Sequence, residues 1–324
     1  MRALVWFWGV VLLVLLAVGG MLQALGPPSA VMAVKLPLPV AAPHAAAWNG
    51  QIADPNPALL QPGRNRAAGL LPRVAGDGRT ARKVYARPAP APDGRPRVAL
   101  VLAGFGAAEA DSRAAVALPG AVTLAVSAYA RDPDALLAAA RAAGHELLAS
   151  LPMESLRFPL DDAGQHSLLT GAAPEENLAN LEIVMGRLQG YVGMTGVSDG
   201  LLGERFAAQS SSFAQVLEEL GRRGLLYVDP RPPGPDLAPL PPGVAGRNAD
   251  LVLDDTPARA NIEGRLAELE RIARARGSAI GVAARLRPVT LERVAAWARD
   301  AETRGIVLIP VSALVPDPDG APAH

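Results

Sequence analysis

Three textures of apolar and polar positions follow one another along the chain. Residues 3–26 form an almost unbroken apolar run, ALVWFWGVVLLVLLAVGGMLQALG. As a helix it is long enough to cross a hydrocarbon core of about 30 Å. Arg2 precedes the run, which favours a cytoplasmic N-terminus and an exported remainder. Trp6 and Trp8 stand where indoles prefer a membrane interface. The run exceeds the ~7–15 apolar residues of a secretory signal core, so an uncleaved anchor is the expectation. A cleaved signal peptide is the alternative, with small residues around Ala24-Leu25-Gly26 and Val31-Met32-Ala33.

Residues 27–96 show no apolar period lasting more than a few positions. Pro, Ala, Gly and Arg dominate, as in PAPAPDGRP at 88–96. Such a composition predicts a disordered, semi-extended spacer. From residue 97 a regular alternation begins. Short β-branched or apolar runs at 98–103, 122–127, 146–151, 191–195, 225–229, 251–254, 279–283 and 306–311 predict strands. Between them, Ala/Leu/Arg stretches at 109–118, 133–143, 174–188, 212–223, 257–276 and 288–304 predict helices. Pro174 and Thr290 stand at expected helix starts, and Gly144, Gly224, Gly277 and Gly305 at expected ends. The alternation predicts an α/β domain over 97–315 with a mostly parallel sheet of seven to eight strands, open or closed into a barrel. Residues 316–324 read as a disordered tail. In such folds chemistry sits at the C-terminal ends of the strands.

Composition narrows the chemistry. The 31 Lys+Arg balance 31 Asp+Glu, and aromatic residues are 4%, so nothing marks a nucleic-acid partner. There are no cysteines, which excludes disulfides and thiolate metal sites. The only imidazoles are His44, His145, His166 and His324.

Several segments at the predicted strand ends have a shared likeness. They are VALVLAGFG at 98–106, ALPGAVTLAVSAYA at 117–130, AAGHELLASLPMES at 142–155, SLLTG at 167–171, GYVGMT at 190–195, GERF at 203–206, RRGLLYVDPR at 222–231, LVLDD at 251–255 and GSAIGVA at 277–283. In order and spacing they resemble the divergent polysaccharide deacetylases, a branch of the carbohydrate-esterase barrel enzymes. The resemblance covers roughly 97–314 and implies a deformed (β/α) barrel. It also implies a divalent metal, such as zinc, that polarises an acyl carbonyl and activates water.

The departures from that pattern fall on the implied metal site. Where the family places an acidic pair after the first strand, this chain has Ala103-Gly104. Ser150 stands in place of the histidine before Leu-Pro-Met-Glu, and Ala284-Arg285-Leu286 in place of Gly-His-Pro. The loop GVSDGLLG at 196–203, with Leu201, carries no histidine. Such positions offer no ligand set, so no metal and no cofactor are expected. The polar residues retained are Glu154, Asp229, Arg231, Asp254 and Asp255, with Asp199 in the lengthened loop. Asp229, Arg231 and Asp254 are the candidate catalytic residues, and with Glu154 they are the candidate glycan-binding set. Each has a plainer reading: an Asp229–Arg231 ion pair orienting a loop, and Asp254 or Asp255 capping the helix near Pro257.

Other residues carry weaker signals. His145 sits at the start of a strand, away from the expected site. His166 lies beside Asp161 and Asp162 in LDDAGQHSLLTG, the one metal-like grouping, and otherwise reads as a solvated loop. Gly104-Phe105-Gly106 lacks the further glycine and acidic residue of a dinucleotide site. Ser210-Ser211-Ser212 lacks a nucleophile elbow and reads as a helix start.

The sequence therefore predicts a single-pass inner-membrane protein with its domain in the periplasm. Its expected role is non-catalytic, binding or helping to assemble cell-envelope polysaccharide or peptidoglycan. A metal-dependent deacetylase of an envelope polysaccharide is the alternative.

Overall fold

The computed structural model describes Trp6 and residues 49–234 and 240–318. The expected anchor at 1–26, residues 27–48 of the expected spacer and nearly all of the expected tail lie outside the described residues. Among the described residues no helix is long and apolar enough to cross a membrane.

Two short strands come first, β1 (Leu60–Pro62) and β2 (Leu70–Pro72), paired antiparallel. The short helix α1 (Ala81–Val84) follows. The main sheet contains β3 (Arg97–Phe105), β4 (Thr123–Val126), β5 (Leu147–Ser150), β6 (Gly193–Thr195), β7 (Leu226–Asp229), β8 (Ala245–Asn248), β9 (Leu251–Val252), β10 (Ser278–Ala283) and β11 (Val307–Leu308). Its helices are α2 (Glu109–Val116), α3 (Asp134–Ala142), α4 (Pro174–Gly186), α5 (Glu204–Ala208), α6 (Ser210–Arg222), α7 (Arg259–Arg276) and α8 (Pro288–Asp300). Each predicted strand and helix overlaps one of these. The additions are β8, α5 and everything before β3.

The strand order is β8-β7-β6-β5-β4-β3-β10-β9, and β11 pairs the first two residues of β3. Every pairing in this sheet is parallel. The two outer strands, β8 and β9, are consecutive in the chain, with only Ala249 and Asp250 between them. Ala249 N donates to Asp229 O on β7 at 2.7 Å, and Asp250 N donates to Ile280 O on β10 at 2.8 Å. One bent segment thus pairs β7 with its first half and β10 with its second, closing the curl into the expected deformed barrel. The Asp250 carboxylate fastens this seam. It accepts from Ile280 N at 2.8 Å and contacts Arg247 and Arg276, each at 3.3 Å.

The helices bury one stripe each against the barrel. Phe213, Val216, Leu217 and Leu220 form that stripe on α6, and Ile262, Leu266, Leu269 and Ala273 on α7. Gly277 ends α7 in a left-handed conformation, as its position predicts. Pro174 opens α4, whereas α8 opens at Pro288 with Thr290 buried in its first turn.

The expected spacer is corrected from residue 49 onward. Residues 49–96 form a strap packed on the barrel's outer layer, with Ile52, Leu59, Leu71 and Tyr85 buried. Its backbone runs so close to α4 that a Cβ at Gly186 would lie 1.5 Å from the Ala68 carbonyl oxygen. The Tyr85 hydroxyl ties the strap to itself by accepting from Asn56 N at 2.8 Å. The sparse, aperiodic apolar residues hid this, because each anchors an irregular chain at one point rather than forming a repeating face.

Strap and C-terminus meet at the N-terminal end of the barrel. A 3-10 turn at Val311–Leu314 plugs that end, with Val311 N donating to Thr123 Oγ1 at 3.1 Å. Glu146, wholly buried just before β5, accepts from Arg87 N at 2.7 Å, from Ser312 N at 3.2 Å and from the Ser312 hydroxyl. Burial raises its carboxyl from the usual 4.5 to about 7, despite these donors. Beside it His145 faces the carbonyls of Val122 (2.7 Å) and Val116 (3.2 Å), and burial lowers its pKa. His145 is therefore a packed residue at the opposite end from the strand C-termini, in keeping with its sequence position.

A pH dependence follows. The unfolded chain releases the Glu146 proton near the usual value, and the folded chain near 7. Between the two the folded state holds more protons, so this residue's contribution to stability is lost as pH rises. The effect is on the order of 2–3 kcal/mol. His145, with its pKa lowered, works in the opposite sense, so the comparison must isolate Glu146. Thermal melts at about pH 5 and about pH 8 should show a smaller loss, or a larger gain, in Tm for Glu146→Gln than for the wild type. Identical pH profiles would remove Glu146 from this account.

Candidate functional site

The register of the sheet decides which side chains reach the barrel interior. An added Cβ at Gly281 of β10 would sit 2.6 Å from Leu269 of α7, so that side of β10 faces outward. Val282 therefore faces inward and, through its partner Val101, so does Ala103. Carried across β4, β5 and β6, the same register places Ala125, Ser150 and Thr195 on the inner face. Ser150 and Thr195 are register partners; both are fully buried, and neither hydroxyl meets a protein partner.

Two of the segments expected to hold a metal lie against each other. A Cβ at Gly104 would lie 3.4 Å from Leu286 N and 4.0 Å from Arg285 Cα. The expected positions carry alanine, glycine, serine, leucine and one arginine. Zinc needs three or four N, S or O donors at about 2.0–2.3 Å, and these residues supply none of the imidazole or carboxylate groups required. Among the described residues no three His, Asp or Glu side chains are grouped so that they could hold a metal ion. The residues present do not fit the ion that the barrel type implies.

The space at the mouth is filled by chain. Gly200 N donates to Ala284 O at 3.0 Å, and the Arg285 guanidinium donates to Asp199 O. Asp199 adopts a positive φ of 47° at the tip of this loop. Loop 196–203 is thereby clamped onto segment 284–286. Beside the clamp lies a cleft of about 280 Å³, lined by Leu160, Asp161, Asp162, Asp199, Leu201 and Arg285.

The retained carboxylates are each committed to protein partners. Asp254, 3% exposed, accepts from Ala284 N at 2.7 Å and Arg285 N at 3.3 Å. Burial raises its pKa against the lowering effect of those two donors. Glu154, 4% exposed, accepts from Thr170 N at 2.6 Å and Thr170 Oγ1 at 2.7 Å, and pairs with Arg205 at 3.1 Å. It ties the loop after β5 to segment 167–171 and to α5. Asp229 and Arg231 form a forked pair, with Nε–Oδ1 at 2.9 Å and Nη2–Oδ2 at 2.6 Å. The Arg231 guanidinium lies 5.5 Å from the Phe213 ring centre on α6, and Phe213 meets Tyr227 edge-on at 5.6 Å. The pair is therefore braced against the outer helical layer.

One sequence expectation, helix capping, needs correction here. Neither Asp254 nor Asp255 caps α7: Ala258 holds the cap position without a side-chain bond. Asp255 instead bonds Thr256 N at 2.8 Å and reaches Arg265 at 2.5 Å, and these contacts lower its pKa even against partial burial. The grouping of Asp161, Asp162 and His166 does not assemble: Asp162 bonds Gly164 N at 2.9 Å, and Asp161 faces Arg157 at 3.4 Å. Sequence reading missed Thr170, Arg205 and Phe213 as partners of the retained set. Thr170 and Arg205 lie within the segments SLLTG and GERF, but their contacts with Glu154 are made only through the folded loops.

The fold defines a curled, all-parallel α/β sheet of the deacetylase barrel type. The profile of the divergent polysaccharide deacetylases matches residues 100–315, and the chain belongs to that family. An uncharacterized protein from Agrobacterium tumefaciens C58, ATU2773, is 34% identical in sequence. Its crystal structure aligns with a TM-score of 0.69 over 76% of this chain and 100% of its own. A family 4 carbohydrate esterase from Streptomyces lividans, in complex with acetate, gives a TM-score of 0.38 at 14% identity, covering 67% of this chain and 92% of its own. No curated protein matches the chain.

Asp254 gives a direct check of the structural assignment. Asp254→Ala strips the acceptor from two backbone N–H groups and should cost about 2 kcal/mol in denaturant unfolding. Asp254→Asn keeps an acceptor oxygen and should cost less. An unchanged midpoint for Asp254→Ala would mean that the carboxylate serves something other than the loop.

Proposed function

We propose that this protein is a membrane-tethered envelope factor whose deacetylase-like domain binds, or helps assemble, cell-envelope polysaccharide or peptidoglycan without hydrolysing it. The observation that carries this reading is the close approach of Gly104 to Arg285 and Leu286, with Ala103 and Ser150 on the inner face of the same sheet. These are the positions where the family resemblance implies metal ligands, and they hold no donor set. The neighbouring carboxylates do not compensate, since Asp254 and Glu154 are taken up by backbone and arginine donors. Without a Lewis acid or an activated water, an amide or ester carbonyl at this mouth meets no group able to drive its hydrolysis. The family membership supports a carbohydrate as the ligand.

In this reading the largely buried Asp229–Arg231 pair, with Asp254 and Glu154, shapes the loops on which a glycan rests. The open cleft beside Arg285, with Asp161, Asp162 and Asp199, provides further hydrogen-bonding groups. The tether is residues 3–26, which would place the domain in the periplasm. An alkaline phosphatase reporter fused after Val311 should then be active, and an inactive fusion would reverse the placement.

Metal content and turnover test the central claim together. The purified protein should retain no stoichiometric zinc after dialysis at neutral pH. It should also show no hydrolysis of acetylated chito-oligosaccharides or aryl acetates. One retained equivalent of metal, together with a hydrolysis rate abolished by a chelator, would establish the deacetylase reading instead.

A further inference from the structure

The strap carries a charge that the chain as a whole does not. Residues 49–87 contain seven Lys or Arg and two Asp or Glu, a net +5, in a chain whose overall charge is zero. Part of that charge lines a concave pocket of about 560 Å³ between the strap, α4 and α6, on the barrel's flank. Arg64 and Arg73 come from the strap, and Arg222 and Arg223 from the end of α6. Pro62, Val74 and Leu178 supply apolar ledges.

The arginines outnumber the carboxylates they meet. Arg223, with a side chain 8% exposed, lies between buried Glu219 (2.6 Å) and buried Glu182 (3.2 Å), and donates to Pro72 O at 3.1 Å. Arg64 also reaches Glu182, at 2.9 Å, and Arg222 reaches Glu219. Glu182 and Glu219 are thus already shared among three guanidinium groups. Arg73 forms no ion pair among the described residues and donates through Nε to Ala58 O at 3.0 Å. Four positive charges face two negative ones, both deep in the wall. The side chains of Arg64 and Arg222, 67% and 68% exposed, rim the opening. A structural network alone would need no surplus of guanidinium at an open rim.

We propose that this pocket binds the carboxylate groups of an acidic glycan. A planar guanidinium fork matches a carboxylate bidentately, and the apolar ledges suit the face of a sugar ring. The volume falls within the range of small-molecule sites. The anionic part of this inference rests on the pocket, and the carbohydrate part rests on the family. It does not depend on whether the barrel mouth binds anything, because the two sites share no residue.

The test uses the full chain in an uncharged detergent, titrated calorimetrically with oligogalacturonate, with a neutral N-acetylglucosamine oligomer and with inorganic phosphate. The uronate oligomer should bind, and its affinity should fall as salt rises. Arg73→Gln with Arg222→Gln should weaken it about ten-fold or more, the equivalent of at least one charge-assisted hydrogen bond. Arg271→Gln, a surface change on α7, should leave it unchanged. A thermal melt of each variant shows whether the fold is intact. If the double variant unfolds, Arg73→Gln alone carries the test, since its side chain touches only a carbonyl. Undiminished affinity in the folded variant overturns the proposal. So does uronate binding no tighter than phosphate, which would mark a generic anion site, and so does equal affinity for the neutral oligomer.

Discussion

Closure of the barrel at Asp250 is the constraint on which the rest of the structure depends. A parallel sheet of short strands has two edges, and each edge exposes unpaired backbone groups. Here one bent segment, β8 through β9, serves both edges. The bend at Ala249–Asp250 would leave polar groups stranded, and the Asp250 carboxylate answers them by accepting from Ile280 N and meeting Arg247 and Arg276. With the seam shut, the strand ends are held in a ring. Asp254, four residues beyond Asp250, then arrives opposite the end of β10.

At that ring the chain uses its remaining carboxylates as fasteners. Burying an ionised carboxylate is costly unless donors surround it. Asp254 receives two backbone donors, Glu154 receives Thr170 and Arg205, and Asp229 receives the Arg231 fork. Asp254 and Glu154 each join separate segments, Asp229 holds its own loop through Arg231, and loop 196–203 is clamped against segment 284–286. The same saturation leaves few lone pairs free for a cation.

The strap changes the outline of the domain. It brings its own apolar anchors, Ile52, Leu59, Leu71 and Tyr85, and it meets the C-terminal turn at Glu146. Its Arg64 then joins Arg223, from the end of α6, at two buried acids, Glu182 on α4 and Glu219 on α6, which do not cancel the whole charge. A segment that reads as a spacer thus supplies one wall of a charged pocket.

Periodicity alone was enough to place the β/α alternation from residue 97, because helices and strands repeat their apolar positions at 3.6 and 2 residues and each repeat is visible locally. The residue types at 103, 104, 150 and 285 were legible as well, since no folding can give an alanine or glycine side chain a donor. Three things were not legible. The strap's order depends on single residues seated in distant holes, such as the close approach of Ala68 to Gly186, and leaves no local pattern. The duties of Asp254 and Asp255 looked like helix capping from spacing, but they were settled by which loop and which arginine lay within reach across the fold. The seam at Asp250 and the pocket among Arg64, Arg73, Arg222 and Arg223 join residues far apart in the chain. Charge and shape there exist only once tertiary packing has brought those residues together.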